Sequence, residues 1–333
     1  MVDSWISALT WRPGHPYRRA SARLPERRVT WLARGSGIPG REPTERRKTG
    51  QTGDAHHDDA GSGSRADPRA PTQEGCLTRP REPLPTRVEE LPPLPAEFGV
   101  VLEAGLRRLD LPLSRTAMDA IDGHARLLLA WTGAINLTAI RDPATVARLH
   151  VLDSLAAASL MRDAGVDSFL DLGSGGGYPG LPLALALPRS QAVLIDSVAK
   201  KTAFLATVAT ATGLDDRVRV IRARAEDLAG RAPVGYDAVT ARAVAALPDL
   251  AELALPLLRP GGRLVAWKRV GDAFDDELRR GRIALDALGG DELQVRPVDV
   301  DGLESHRLVV AVKGRRTPPG YPRPPAERTR RPW

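Results

Sequence analysis

The segment Asp171-Leu172-Gly173-Ser174-Gly175-Gly176-Gly177-Tyr178-Pro179-Gly180 follows directly on the apolar pair Phe169-Leu170 and reads D-x-G-x-G-x-G. Such a run is expected at a strand-to-helix turn, because glycines at alternate positions let the chain turn sharply and let bare backbone approach a ligand that a Cβ would exclude. The acid two residues before the first glycine suits a ligand with a positive or hydrogen-donating group better than a pyrophosphate, which it would repel. S-adenosylmethionine is therefore favoured over a dinucleotide. The rival is present in the same residues: Gly175, Gly177 and Gly180 also spell G-x-G-x-x-G, and Asp196 follows at the spacing of a ribose-binding acid.

The pattern after Gly165 chooses between them. Short apolar runs near 168–172, 191–196, 218–223, 236–240, 263–268, 293–300 and 306–313 alternate with longer helical segments, which predicts a mostly parallel sheet with helices on both faces. Only Asp301 to Ser305 separates the last two runs, too short for a parallel crossover, so they form an antiparallel hairpin. A parallel sheet ending this way indicates an α/β class I S-adenosylmethionine-dependent methyltransferase, Rossmann-like. Ahead of it, residues 96–165 carry apolar side chains at helical spacing, among them Leu102, Leu106, Ile121, Leu128 and Leu155, and predict an N-terminal helical cap.

Outside 96–314 the composition changes. Residues 1–95 are rich in Arg, Pro, Gly and Ser, contain no Phe, and are expected to be a disordered leader, with Trp5, Trp11 and Trp31 unexplained. Residues 315–333, Arg- and Pro-rich, are expected to be a basic flexible tail. Lys plus Arg outnumber Asp plus Glu by 48 to 41, but the surplus lies in these two ends, so global charge says little about an RNA partner. The single cysteine, Cys76, leaves no intramolecular disulfide and no cysteine-based metal site in the folded part, in keeping with a cytoplasmic setting. No metal and no membrane association is expected, and the chain should be a monomer.

In a parallel sheet the ligand lies at the carboxyl ends of the strands. The loop Gly173 to Tyr178 would cradle the methionine portion of the cofactor, and Asp196 would take the ribose hydroxyls. Ala225 and Glu226, just past the third strand, would face the adenine amino group, while Thr240-Ala241-Arg242 would face the donated methyl and its acceptor. Simpler roles compete: Asp196 as a helix cap, Glu226 on a solvated face. TARAVA at the fourth strand lacks the Asn/Asp-Pro-Pro-aromatic motif of exocyclic-amine methylation, and no core cysteine exists to attack a pyrimidine carbon. An imidazole-ring nitrogen of guanine is already a nucleophile and releases no proton on alkylation, so no catalytic base is assigned and positioning suffices.

Further blocks extend the pattern: Trp131 with Asn136-Leu137-Thr138, Arg141-Asp142-Pro143, His150 with Asp153-Ser154, Leu194-Ile195-Asp196-Ser197, Arg224-Ala225-Glu226, Arg242-Ala243, Lys268, and Leu308-Val309-Val310. In this order they resemble the RsmG (GidB) family of bacterial 16S rRNA methyltransferases, over roughly residues 96 to 313. The resemblance implies N7 methylation of a guanine in the 530-loop region of the small ribosomal subunit, with 16S rRNA or the small subunit as partner. It implies cofactor contacts at Gly173, Tyr178, Asp196, Ala225, Glu226 and Arg242, and an acceptor side lined by His150, Asp153 and Lys268. His150 and Asp153, three apart on a helix, could instead simply pair with each other. The chain departs from the family pattern at Thr132, Ile135 and Arg269, and carries His306-Arg307 where the family has Arg-His. Residues 1–87 have no counterpart, and translation beginning near Val88 is one expectation for them. A ribosome-assembly factor without turnover and a small-molecule methyltransferase are the other two functional readings.

Overall fold

The computed structural model describes residues 83–229 and 235–333. The expectations for Cys76, the three early tryptophans and the leader up to residue 82 lie outside these residues.

The described residues open with a 3-10 turn, Val88–Glu90, and two long helices, α1 (Ala96–Arg108) and α2 (Arg115–Ile135). Ser114 caps α2 by accepting from the Ala117 amide, and Asn136 ends it in the left-handed conformation. A short helix, α3 (Pro143–Val146), capped by Asp142, runs into a π-helical turn, Ala147–Leu152, then α4 (Asp153–Leu155) and α5 (Ala158–Asp163). From there strands and helices alternate: β1 (Ser168–Leu172), α6 (Gly180–Ala186), β2 (Gln191–Asp196), α7 (Ala199–Ala211), β3 (Val218–Arg222), α8 (Ala225–Ala229), β4 (Tyr236–Arg242), α9 (Leu247–Ala254) and β5 (Leu258–Arg269). The chain ends with α10 (Phe274–Leu288), β6 (Gly290–Pro297), β7 (His306–Lys313) and α11 (Pro325–Arg330).

The seven strands form one sheet in the order β3-β2-β1-β4-β5-β7-β6. Pairings are parallel through β5, and β7 runs antiparallel to both β5 and β6, as the short connection required. This is the class I methyltransferase architecture. Successive side chains of a strand point to opposite faces, so β1 sends Phe169 to one core and Leu170 and Leu172 to the other. Phe169 joins Phe204, Trp131, Ile121 and Leu102 beneath the helical cap, while Leu170 and Leu172 join Val239, Leu250, Phe274 and Leu285 beneath α9 and α10. The order reverses between β1 and β4, which opens a crevice at their carboxyl ends.

Two expected boundaries move. Residues 84–94 are docked, not disordered: the Trp131 indole donates to the Pro85 carbonyl (2.7 Å), Arg126 donates to the Val88 carbonyl (3.1 Å), and Leu84, Leu91 and Leu94 pack on the core. The C-terminal residues are docked as well. Glu252 of α9 is fully buried and receives Arg323 in a two-pronged pair (Nη2–Oε2 2.6 Å, Nε–Oε1 3.0 Å) together with the Trp333 indole (2.7 Å). Arg323 also lies 4.8 Å over the Trp333 ring. A buried carboxylate needs compensation, and the arginine-rich tail supplies it. Removing Tyr321 to Trp333 should therefore lower unfolding stability by about 3 kcal/mol, the size expected when a buried pair loses one partner. Glu252→Leu should offset part of that loss in the truncated chain. Urea unfolding of the full chain, the truncated chain and the truncated chain carrying Glu252→Leu checks it, and an unchanged midpoint on truncation would show the tail to be a surface ornament.

Candidate active site

The glycine loop leaves β1 with Gly173 at φ +65° and Gly177 at φ +90°. At Gly177 an added Cβ would stand 2.5 Å from Leu181 and 2.9 Å from the ring of His124, so the loop keeps this course only with glycine. Beneath it Asp171 is completely buried, accepting from Thr240 Oγ1 (2.8 Å) and the Gly180 amide (3.2 Å). Burial pushes its pKa up to about 6. This corrects the role read from sequence: the carboxylate ties β1 to β4 and to the start of α6, and is not on the pocket wall. Asp196, at the end of β2, accepts from the Gly175 amide (3.1 Å) and the Val198 amide (2.8 Å), so it braces the same loop from the other side. It does so without being the capping residue of α7, which is Val198.

Tyr178 ends the loop and is 6% exposed. Its ring is stacked between His124 (centroids 4.4 Å apart) and His150 (4.9 Å), with the Arg242 guanidinium 5.5 Å from its centroid. Its hydroxyl is buried with no hydrogen-bond partner among the described residues. Sequence reading missed His124. Its imidazole Nε2 lies 2.8 Å from the Gly176 carbonyl, and burial lowers its pKa to about 4. The signal available was a histidine on the apolar face of α2, which alone reads as core.

Arg242, the last residue of β4, faces the π-helical turn. Its Nη1 donates to Asp153 Oδ2 (3.0 Å) and to the Leu149 carbonyl (3.0 Å), and its Nη2 lies 3.3 Å from His150 Nδ1. Asp153 is 2% exposed, and its other oxygen lies 2.9 Å from His306 Nδ1. Its backbone carbonyl accepts from the Trp267 indole (2.7 Å). His150 and Asp153 thus do not pair with each other, because the arginine stands between them. An arginine can only donate, so His150 Nδ1 is the acceptor and its proton sits on Nε2, directed at Thr138 Oγ1 (2.8 Å). Burial, and then the neighbouring Arg242, lower the His150 pKa to about 4.

One pocket of about 620 Å³ is lined by Gly173 to Gly176, Tyr178 and Lys201 together with His150, Asp153, Arg242, Trp267, Lys268 and His306. Of the residues expected from sequence, Gly173, Tyr178, Arg242, His150, Asp153 and Lys268 meet here. Lys268 lines the pocket with its charge already committed: Nζ donates to Glu277 Oε1 (2.6 Å) and the Ala245 carbonyl (2.7 Å), and so shapes the loop into α9. Ala225 and Glu226 are not on the pocket wall. The Glu226 carboxylate is paired with Arg328 of α11 and is not on an open solvated face. Among the described residues no group of three or more His, Cys, Asp and Glu is placed to hold a metal ion, and no helix is long and apolar enough to cross a membrane.

A family model described as "GidB: rRNA small subunit methyltransferase G" matches residues 118–304. The chain is 44% identical over 216 residues to a ribosomal RNA small subunit methyltransferase G of Roseiflexus castenholzii, covering 64% of this chain and 90% of that protein. To the protein of the same name from Rubrobacter xylanophilus it is 40% identical over 239 residues, covering 69% and 90%. Among solved structures, an O-methyltransferase from Bacillus cereus in complex with SAH aligns with a TM-score of 0.44 at 18% identity, over 65% of this chain and 100% of that one.

Acid sensitivity follows from the buried histidines. Their pKa values of about 4 lie below the usual 6.5, so the stability they contribute is present above pH 6.5 and drains as pH falls toward 4, where the unfolded chain binds protons that the folded one refuses. Asp171, raised from 3.8 to about 6, acts in the opposite sense and offsets part of the loss. The melting temperature should fall between pH 6.5 and 4, and His124→Gln together with His150→Gln should flatten that slope. An unaltered slope in the double variant would place the acid sensitivity elsewhere.

Proposed function

Because this chain belongs to the GidB family of rRNA small subunit methyltransferase G proteins, we propose that it transfers a methyl group from S-adenosylmethionine to N7 of a guanine in the 530-loop region of 16S rRNA. The observation that carries this reading is the meeting of the glycine cradle with the Arg242–Asp153 wall across one pocket.

The residues present fit the cofactor. The pocket volume is in the range of small-molecule sites, the loop offers bare backbone where a side chain would clash, and the Tyr178 hydroxyl is an orphaned polar group beside it. When bound, S-adenosylmethionine supplies an electrophilic methyl on a sulfonium sulfur. Gly173 and Tyr178 would hold its methionine portion. Asp196, whose two oxygens each carry one backbone amide, keeps lone pairs for ribose hydroxyls. Ala225 and Glu226 would sit at the adenine end, with Arg328 holding the Glu226 side chain.

Arg242 does the positioning. One guanidinium reaches the π-turn carbonyl, Asp153, His150 and the face of Tyr178, and so fixes the distance between the cradle and the opposite wall. In-line transfer to a ring nitrogen needs that fixed distance and no proton removal. His150 and Asp153 would flank the acceptor base. A base splayed from its stack could enter here, since the deep groove of A-form RNA is closed to side chains. A monomer acting in the cytoplasm is part of the same proposal.

Purified small subunits and free 16S rRNA, incubated with radiolabelled S-adenosylmethionine and digested to nucleosides, should yield N7-methylguanosine. Arg242→Lys keeps the charge and loses the fork, and should lower the rate by about a hundredfold, the effect of misplacing reacting groups by an ångström. Transfer to small molecules without ribosomal RNA would overturn the reading, and RNA binding with no transfer by the wild type would favour an assembly factor.

A further inference from the structure

His306, the first residue of β7, is not among the residues assigned above to cofactor or acceptor. It lines the same pocket as the glycine cradle, with its side chain 13% exposed. Its Nδ1 lies 2.9 Å from Asp153 Oδ1, and a carboxylate can only accept, so Nδ1 carries the proton. With Nδ1 protonated, the neutral form of the ring has its unshared pair on Nε2, on the side away from Asp153. His150 has the reverse arrangement, because the group beside its Nδ1 is a donor. One ion pair thus sets two histidines in opposite tautomers on the same wall: His150 turns its proton to Thr138, and His306 offers an acceptor.

We propose that His306 is a specificity-determining residue whose Nε2 accepts a hydrogen bond from the Watson–Crick edge of the target guanine, from N1–H or the adjoining exocyclic amine. The proposal rests on the guanine-N7 reading above. Adenine presents an acceptor at N1, so the same imidazole faces it lone pair to lone pair and selects against it. The contact also strengthens along the reaction. As the N7 pair bonds to the methyl carbon, the electron pair of the carbon–sulfur bond goes to sulfur, no proton leaves, and the purine becomes a cation. Positive charge spread over the ring makes N1–H a stronger donor, so a nearby acceptor backed by a carboxylate holds the transition state more tightly than the ground state. Asp153 supplies that backing while its second oxygen stays on Arg242, which keeps the carboxylate from swinging away.

Single-turnover methyl transfer to small ribosomal subunits, with calorimetric S-adenosylmethionine binding as the control for folding, tests the assignment in wild type, His306→Gln and His306→Leu. Leucine fills the space without an acceptor, and should lower kcat by about tenfold or more while cofactor affinity stays within ~twofold. Glutamine restores an acceptor and should recover most of that rate. Equal losses in both variants, or a wild-type rate in His306→Leu, overturn the proposal. So does product methylated at N1 or the exocyclic amine, which would make the dyad a base that removes the proton. A wild-type protein that transfers nothing to ribosomal RNA refutes the functional reading itself, and this inference falls with it.

Discussion

One ion pair, Arg242 with Asp153, joins the carboxyl end of the fourth strand to the start of α4, directly after the π-helical turn that precedes the sheet. Both partners are largely shielded from water, so neither tolerates loss of the other, and the geometry around them is correspondingly rigid. The remaining hydrogen bonds are satisfied by groups that themselves define the pocket: the Leu149 carbonyl, His150, and His306. A π-turn widens the helix and turns carbonyls outward, and here the arginine takes one of them. The helical cap and the sheet are therefore coupled at the point where a methyl donor and its acceptor would meet.

The glycine loop depends on a second pair of carboxylates. Asp171 from below holds the Gly180 amide and Asp196 from the side holds the Gly175 amide, so the cradle is braced at both ends by carboxylates that accept from backbone. Asp171 is too deeply buried to act on a ligand directly. The Tyr178 ring carries the connection to the far wall, stacked between two histidines that burial keeps neutral at ordinary pH. A neutral, aromatic floor beside a cationic guanidinium is suited to holding flat, polar groups in one orientation.

Much of this was legible before any coordinates. Short apolar runs alternating with helical segments placed the strands, the brevity of the last connection forced the antiparallel hairpin, and strand-end positions brought forward Asp196 and Arg242. What escaped is tertiary. Glu226 meets Arg328, and Lys268 meets Glu277, through partners that no local pattern announces. The tail read as flexible because its composition is Arg- and Pro-rich. The countersignal was Glu252, set in the run Leu250-Ala251-Glu252-Leu253-Ala254 on the buried side of the helix, a buried acid that demands a cation from elsewhere. His306 was visible only as an inversion of neighbouring residues, and its meaning depends on Asp153, far away in the chain.

Histidine ring ¹⁵N chemical shifts in the full chain, assigned with His150→Gln and His306→Gln, test most directly whether the Arg242–Asp153 pair organises the site. At neutral pH the account predicts that His150 carries its proton on Nε2 and His306 on Nδ1, and that both populations blur in Asp153→Asn. The same tautomer in both rings, or opposite tautomers that survive in Asp153→Asn, would contradict it.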